Sequence, residues 1–268
     1  MSPLRSFAFV AILSGVFAFA PNTSSAQTAE ANRTPVLVEL FTSEGCSSCP
    51  PADALLAKLD HVQPVDGAEI IVLGEHVDYW DNQGWHDRFS SHQYTERQSQ
   101  YCGRLRVEGP FTPQMIVDGT DQFVGNDAGH ALRAVQHAAQ SPKVKLTLSQ
   151  PVVDGRKVSA SVSALGTTAA QTKGDLYAAL VDPTDSTEVR SGENGGHRLQ
   201  HVGVVRSLQR VGSLKDLGTK PVSFNLTAPG DAKPNEMRVV VFAQQSGQGP
   251  VVGAVISAVG AVSSGITP

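Results

Sequence analysis

The chain has 268 residues, a formal net charge of −4, 40% hydrophobic and 17% charged residues. That length suits one large domain or two modest ones, and the composition is globular rather than disordered. Lysine and arginine do not cluster, which leaves no electrostatic footprint for nucleic acid or an anionic membrane surface.

The first 26 residues differ from the rest. Arg5 is followed by an uncharged apolar run from Phe7 to Ala20, then by a small, polar stretch ending in Ser25-Ala26. This is the three-part form of a secretory signal peptide, with cleavage expected after Ala26. The apolar run falls short of the ~20 residues that span a bilayer. The expectation is a periplasmic or secreted protein with no membrane span after cleavage. The three cysteines lie beyond residue 26. An oxidising compartment permits disulfides, and the odd count leaves at least one thiol unpaired within a monomer.

After a polar lead-in over residues 27–34, residues 35–41 read as a buried strand, apolar and rich in β-branched residues. Thr42-Ser43-Glu44-Gly45 form a turn cluster, then Cys46-Ser47-Ser48-Cys49-Pro50-Pro51 open an amphipathic helix carrying Ala54, Leu55, Leu56 and Leu59. The prolines fit because the first helical turn has no intrahelical use for its N–H groups. Residues 69–77 read as a second strand, 78–86 as an aromatic, glycine-containing loop, and 87–103 as a polar stretch with weak helical periodicity. Residues 114–117 and 122–124 are apolar runs around Asp118-Gly119, a strong hairpin signal. Ala131, Leu132, Val135 and Ala138 mark a last helix, capped near Asn126 or Asp127 and ended before Pro142. The order over 35–141 is β-α-β-α-β-β-α. The first two strands should be parallel and joined by a right-handed crossover.

From residue 142 to 260 helical periodicity nearly vanishes. Alternating runs at 144–148 and 158–162, and strand-like segments at 176–181, 202–208, 222–226, 237–242 and 251–256, predict a β-rich, sandwich-like part.

The chemistry concentrates in Cys46 and Cys49. At a helix start, the first sulfur of a Cys-x-x-Cys sits over free N–H groups and the positive end of the helix dipole, which stabilise a thiolate. The second sulfur lies one turn on and can resolve a mixed disulfide. Cys46 is the expected exposed nucleophile and Cys49 the resolving thiol. Ser47 and Ser48 hydroxyls are positioned to support the thiolate, whereas Glu44 would oppose it. Two alternatives stay open. One is a structural disulfide. The other is metal handling, for which Cys102, His76, His86 and His92 are the further ligand candidates. No second ligand pair has metal-like spacing, and only Met115 and Met237 follow the signal segment, so no metal site is assigned.

The strand, the Cys46-x-x-Cys49 pair at a helix start, and Phe111-Thr112-Pro113 leading into strand 114–117 resemble the thioredoxin fold. That likeness implies a cis bond before Pro113, facing the cysteine pair, with Thr112 and Pro113 shaping the substrate-binding surface. Residues 39–53 (ELFTSEGCSSCPPAD), His76-Val77-Asp78-Tyr79-Trp80-Asp81, Gly84-Trp85, Arg97-Gln98, Thr112-Pro113-Gln114-Met115, and Gly192-Glu193-Asn194-Gly195 with His201 and Val204-Val205-Arg206 are similar to the secreted thioredoxin-like family called domain of unknown function 1223. The resemblance implies an α/β thioredoxin-like domain at 35–141 followed by the β-rich, sandwich-like part at 142–260. Gly45 stands where well-understood thioredoxins carry tryptophan, and Ser-Ser separates the cysteines, so the direction of reaction is left open.

Among other residues, Trp80, Trp85, Tyr79 and Phe89 read first as loop packing, His76 as a hydrogen-bonded structural histidine, Asp53 as an ordinary first-turn carboxylate, Cys102 as a semi-buried bystander, and 193–196 as a loop between strands. The resulting expectation is an exported thiol–disulfide oxidoreductase acting on protein or small-molecule thiols and disulfides without an organic cofactor. The competing class is a non-catalytic secreted binding module with a stabilising disulfide.

Overall fold

The computed structural model describes residues 33–165, 173–218 and 220–260. The expected signal segment, residues 1–26, lies outside the described residues. Strand β1, Thr34–Thr42, is an inner strand. It pairs in parallel with β2, Ala68–His76, and antiparallel with β3, Gln114–Val117. Both its faces are covered, which is why its sequence is nearly continuous in apolar residues rather than alternating. Helix α1, Pro50–Val62, joins β1 to β2. Helix α2, His92–Leu105, precedes β3 and is capped by Ser91, whose side chain accepts from Gln93 N–H. Strand β4, Asp121–Val124, returns from β3 through Asp118 and Gly119, both at positive φ. Helix α3, Ala128–Ala138, starts at Asp127, whose side chain accepts from His130 N–H.

The pleat sorts β1 and β2 between two cores. Val36, Val38, Leu40, Ile70 and Val72 pack with Leu56 and Leu59 of α1 and Ala131 and Val135 of α3. Leu37, Phe41, Ile71 and Leu73 point the other way, into clusters that take in Tyr94 and Tyr101 of α2. Successive residues of a strand face opposite sides, so residues 75 and 76 at the end of β2 belong to different environments.

Residues beyond 142 supply β5 Lys145–Leu148, β6 Val152–Asp154, β7 Lys157–Leu165, β8 Asp175–Glu188, β9 Arg198–Ser213, β10 Val222–Thr227, β11 Arg238–Gln244 and β12 Val251–Ala258. The whole is a strand-rich mixed α/β structure. Its main sheet has the order β12-β11-β8-β9-β2-β1-β3-β4, and a smaller sheet has the order β10-β7-β5 with β6 paired to β7. Val158, Val162, Phe224 and Leu226 of the small sheet pack onto Leu176, Leu180, Val239 and Val241 of the main one. One layer of the sandwich-like part is therefore the continuation of the N-terminal sheet.

The two runs of strands meet where β2 and β9 pair in parallel, at Gly74 and Val204. Gly203 has φ 61°, and a Cβ there would lie 2.8 Å from the Val72 carbonyl oxygen. Both the backbone conformation and the approach require glycine. Gly203→Ala is expected to cost about 2–4 kcal/mol, from left-handed strain plus overpacking. Gly155→Ala, also at positive φ (58°) but with nothing within 4 Å, should cost only the ~1 kcal/mol of the conformational component. Denaturant unfolding of the two variants checks this, and equal losses would contradict a tight β2–β9 junction.

Candidate functional site

Strand β1 ends at Thr42, and the chain turns through Ser43-Glu44-Gly45 into the cysteine pair. Cys46 and Cys49 are joined by a disulfide. Cys49 is the N-cap position of α1, and its carbonyl accepts from Ala52 N–H at 2.8 Å. Strand β3 begins at Gln114, opposite Phe41. Thr112-Pro113 therefore leaves the sheet at the same end as the cysteine loop. The Thr112–Pro113 bond is cis. Trp80 Nε1–H donates to Thr112 Oγ1 at 2.7 Å, and a Cβ on Gly45 would sit 3.2 Å from Trp80 Cβ. Trp80 thus occupies the space between the residue before Cys46 and the residue before Pro113.

The expected exposure of Cys46 is not found: Cys46 and Cys49 are both 0% exposed. Exposed Ser48 holds its Oγ 3.4 Å from Cys46 Sγ, so the sulfur lies one side chain beneath the surface. The loop between β8 and β9 lies across the motif. Glu193 Oε2 accepts from Ser47 N–H at 3.0 Å. Asn194 Nδ2 donates to the carbonyls of Glu44 and Cys46 at 2.9 and 3.0 Å. Nothing local in the sequence places a segment almost 150 residues away on the cysteine loop. The signal available was the family resemblance, which includes Gly192-Glu193-Asn194-Gly195 alongside the cysteine motif.

Around the turn and helix start that carry the pair lies a buried ionisable cluster. Glu44 accepts at Oε2 from Trp85 Nε1–H, 2.8 Å away. Its Oε1 lies 3.5 Å from His201 Nε2, and neither atom has a hydrogen-bond partner among the described residues. The His201 ring stands edge-on to His76, with centroids 4.8 Å apart. His76 Nδ1 is 2.7 Å from Asp87 Oδ2. The structural role expected of His76 fits this bond, but the surroundings are richer than a lone satisfied histidine. Burial alone would raise Asp87, yet the His76 ring and the N–H groups of Glu44 and Phe89 hold it below its ordinary value.

Asp53, read as a commonplace first-turn carboxylate with proton shuttling as the other possibility, is buried. It is 7% exposed. Burial pushes its pKa from 3.8 up to about 7, with His201 opposing the rise and Asp87 and Glu44 adding to it. Asp53 and His201 also line a cavity of about 400 Å³ with Pro50, Ala54, Leu199 and Val202.

The other candidates lie elsewhere. Cys102 is buried, with Sγ 3.8 Å from Gln114 Oε1, and burial pushes its thiol up. His86 and His92 are exposed, beside Asp81 at 2.9 Å and Asp78 at 3.1 Å. Among the described residues no three His, Cys, Asp or Glu side chains converge as a metal-ion donor set.

Comparison with known proteins agrees with this architecture. The family model "Protein of unknown function (DUF1223)" matches residues 37–244. The crystal structure of protein AGR_C_4864 from Agrobacterium tumefaciens is similar at 29% identity and a TM-score of 0.62, over 85% of this chain and 95% of that one. No curated protein matches the chain.

The Asp53 environment has a signed consequence. The folded chain holds this proton up to about pH 7, while the unfolded chain sheds it near 3.8. Stability from the group is complete below pH ~4 and is lost as pH rises through ~7. Asp53→Asn removes the titration, so the variant should gain roughly 2–4 kcal/mol relative to wild type between pH 4 and pH 8. Urea unfolding at a series of pH values measures it. A stability difference that stays flat over that range would exclude a buried, proton-holding Asp53.

Proposed function

The chain belongs to the family described as protein of unknown function DUF1223, and from that premise we propose that it is an exported, thioredoxin-like thiol–disulfide oxidoreductase. Cys46 takes the attack of an incoming thiol or itself attacks a substrate disulfide, Cys49 resolves the mixed disulfide, and Thr112-Pro113 shapes the surface where substrate lies. The observation that carries this reading is a disulfide at the start of α1, at the same sheet end as cis Thr112–Pro113. A dithiol carries two electrons by itself, so the chemistry calls for no organic cofactor. Protein or small-molecule thiols and disulfides are the partners.

Support for a thioredoxin-like core comes from the β2-β1-β3-β4 portion of the main sheet, with α1 and α3 packed on one face and α2 on the other. The disulfide suits an oxidising compartment. Among the described residues no helix is long and apolar enough to cross a membrane. Asp53, whose carboxyl burial pushes up to about 7 one helical turn from Cys49, supports the assignment as well, because a perturbed acid near a reacting centre is a common mark of proton-linked chemistry.

The burial of both cysteines favours a second reading, a secreted binding module whose disulfide only ties the turn to α1. The two readings separate in one experiment. In the first, glutathione buffers poise the pair of the folded mature protein reversibly, and Cys49→Ser accumulates a mixed disulfide at Cys46 that intact-mass analysis detects. In the second, the pair is reduced only under denaturing conditions and Cys49→Ser traps nothing.

A further inference from the structure

We infer that the tip of the β8–β9 hairpin, residues 189–197, is a gate over the disulfide, and that Glu193 and Asn194 select which thiols reach Cys46. The inference rests on the thiol–disulfide reading and adds the substrate selection of that site. In-line attack needs a clear path to Cys46 Sγ. Cys46 is 0% exposed, so reaction requires something to move.

The tip is the segment built to move. Its internal bonds close on themselves: Gly196 N–H donates to the Val189 carbonyl at 2.7 Å, and His197 N–H to the Asn194 carbonyl at 3.1 Å. Its hold on the site consists of side-chain bonds. Asn194 spends its amide hydrogens on the carbonyls of Glu44 and Cys46, Glu193 takes Ser47 N–H, and Ser191 Oγ donates to the Gly84 carbonyl at 2.6 Å. Gly192 and Gly196, at φ 76° and 85°, flank the two gate residues. Lifting the tip as a unit breaks these few bonds, uncovers Val189 and the packing of Gly192 against Trp85, and leaves the β8–β9 ladder intact.

The gate residues differ in kind. Asn194 is buried and neutral, and its bonds to the Glu44 and Cys46 carbonyls hold the tip down on the cysteine loop. Glu193 is exposed, and hydrogen bonds from Ser47 hold its carboxyl below the ordinary range, so it stays an anion at the mouth. An attacking thiolate is also an anion. Both reductants attack as thiolates and meet the same charge, so size separates them: a small dithiol enters through a partial opening, whereas a protein-sized thiol needs the tip displaced.

The step being gated is conventional exchange. With dithiothreitol, one thiolate forms a bond to Cys46 Sγ while the Cys46–Cys49 bond breaks. Its electron pair leaves on Cys49 Sγ, which takes a proton. The second dithiothreitol thiol then closes the ring and releases Cys46. Two electrons and two protons pass to the pair.

The test uses the mature oxidised protein and its Asn194→Ala and Glu193→Ala variants, each of which removes the side-chain bonds that hold the tip. The rate of Cys46–Cys49 reduction is followed by alkylation and mass analysis, with dithiothreitol and with reduced thioredoxin as reductants. Losing hydrogen bonds of ordinary net worth should raise the rate roughly fivefold or more in each variant. The gain should be larger with the protein reductant, which narrows the wild-type ratio between the two. Glu193 is exposed, so its variant keeps the test alive if Asn194→Ala folds poorly. Rates equal to wild type overturn the gate. So does acceleration by the same factor for both reductants in step with a lowered Tm, which is what a merely structural contact predicts. If the variants open but Cys49→Ser in the Asn194→Ala background traps no mixed disulfide, the gate stands and the oxidoreductase reading fails.

Discussion

A single buried guanidinium ties this molecule together. Arg97 of α2 donates through Nε to Glu39 of β1 at 2.7 Å, through Nη1 to Gln248 at 3.0 Å, and through Nη2 to Tyr101 Oη and Gln244 at 3.0 and 3.1 Å. Glu75 of β2 lies 3.4 Å from the same guanidinium. One cation thus joins β1, β2 and α2 to β11 and the turn that follows it, spanning the point where the N-terminal strands give way to the C-terminal ones. It cannot neutralise two carboxylates in a dry interior, and burial, with the neighbouring Glu39, pushes Glu75 well above the ordinary carboxylate range despite Arg97. Arg97 thus faces two carboxylates, of which Glu75 is held toward its protonated form by burial. Removing a partner from such a buried set typically costs ~3–5 kcal/mol, because a charge is left without compensation.

The strand pleat turns this constraint into two separate polar interiors. Glu75 and His76 are consecutive in β2 and therefore face opposite sides of the sheet. Glu75 looks toward Arg97, while His76 looks toward Asp87, His201 and the base of the cysteine loop. The first cluster ties the sheet to α2 and β11, and the second ties the end of β2 to the turn before the cysteines. Because β9 runs beside β2, His201 arrives next to His76, and the hairpin preceding β9 arrives over Cys46. The glycine junction at Gly74 and Gly203 therefore sets the placement of the covering loop.

Much of this was legible locally. The apolar β1 run, the cysteine pair opening a proline-tolerant helix, Asp118-Gly119 between short strands and the Asp127 cap all follow from neighbours in sequence, and the structure has them. Helix α2 read weakly because its buried face includes Arg97 and Gln98 rather than aliphatic residues, so hydrophobic periodicity had little to register. Asp53 read as a commonplace first-turn carboxylate because nothing within its own helix announces that His201 of β9 lies beside it. The exposure expected of Cys46 failed for the same reason: Glu193 and Asn194 are brought to it by a hairpin far along the chain, and strand patterns do not name their partners.

The chemistry of the second cluster bears on what the disulfide is for. A purely structural disulfide is neutral, does not titrate, and gains nothing from ionisable neighbours. Here Glu44, Asp53, His76, Asp87 and His201 are all buried around the turn and helix start that carry it, and burying such groups is costly unless each is paired. Glu44 Oε1 and His201 Nε2 have only each other, 3.5 Å apart and without a hydrogen bond. A pair that cycles between disulfide and dithiol, in contrast, must take up and release protons inside the same dry region. An acid titrating near neutrality one helical turn from Cys49 meets that need. The burial that argues for an inert disulfide and the charges that argue against one are reconciled if the cover is removable, since a water-excluded site with its own proton-holding groups is what a thiol exchange protected from solvent requires.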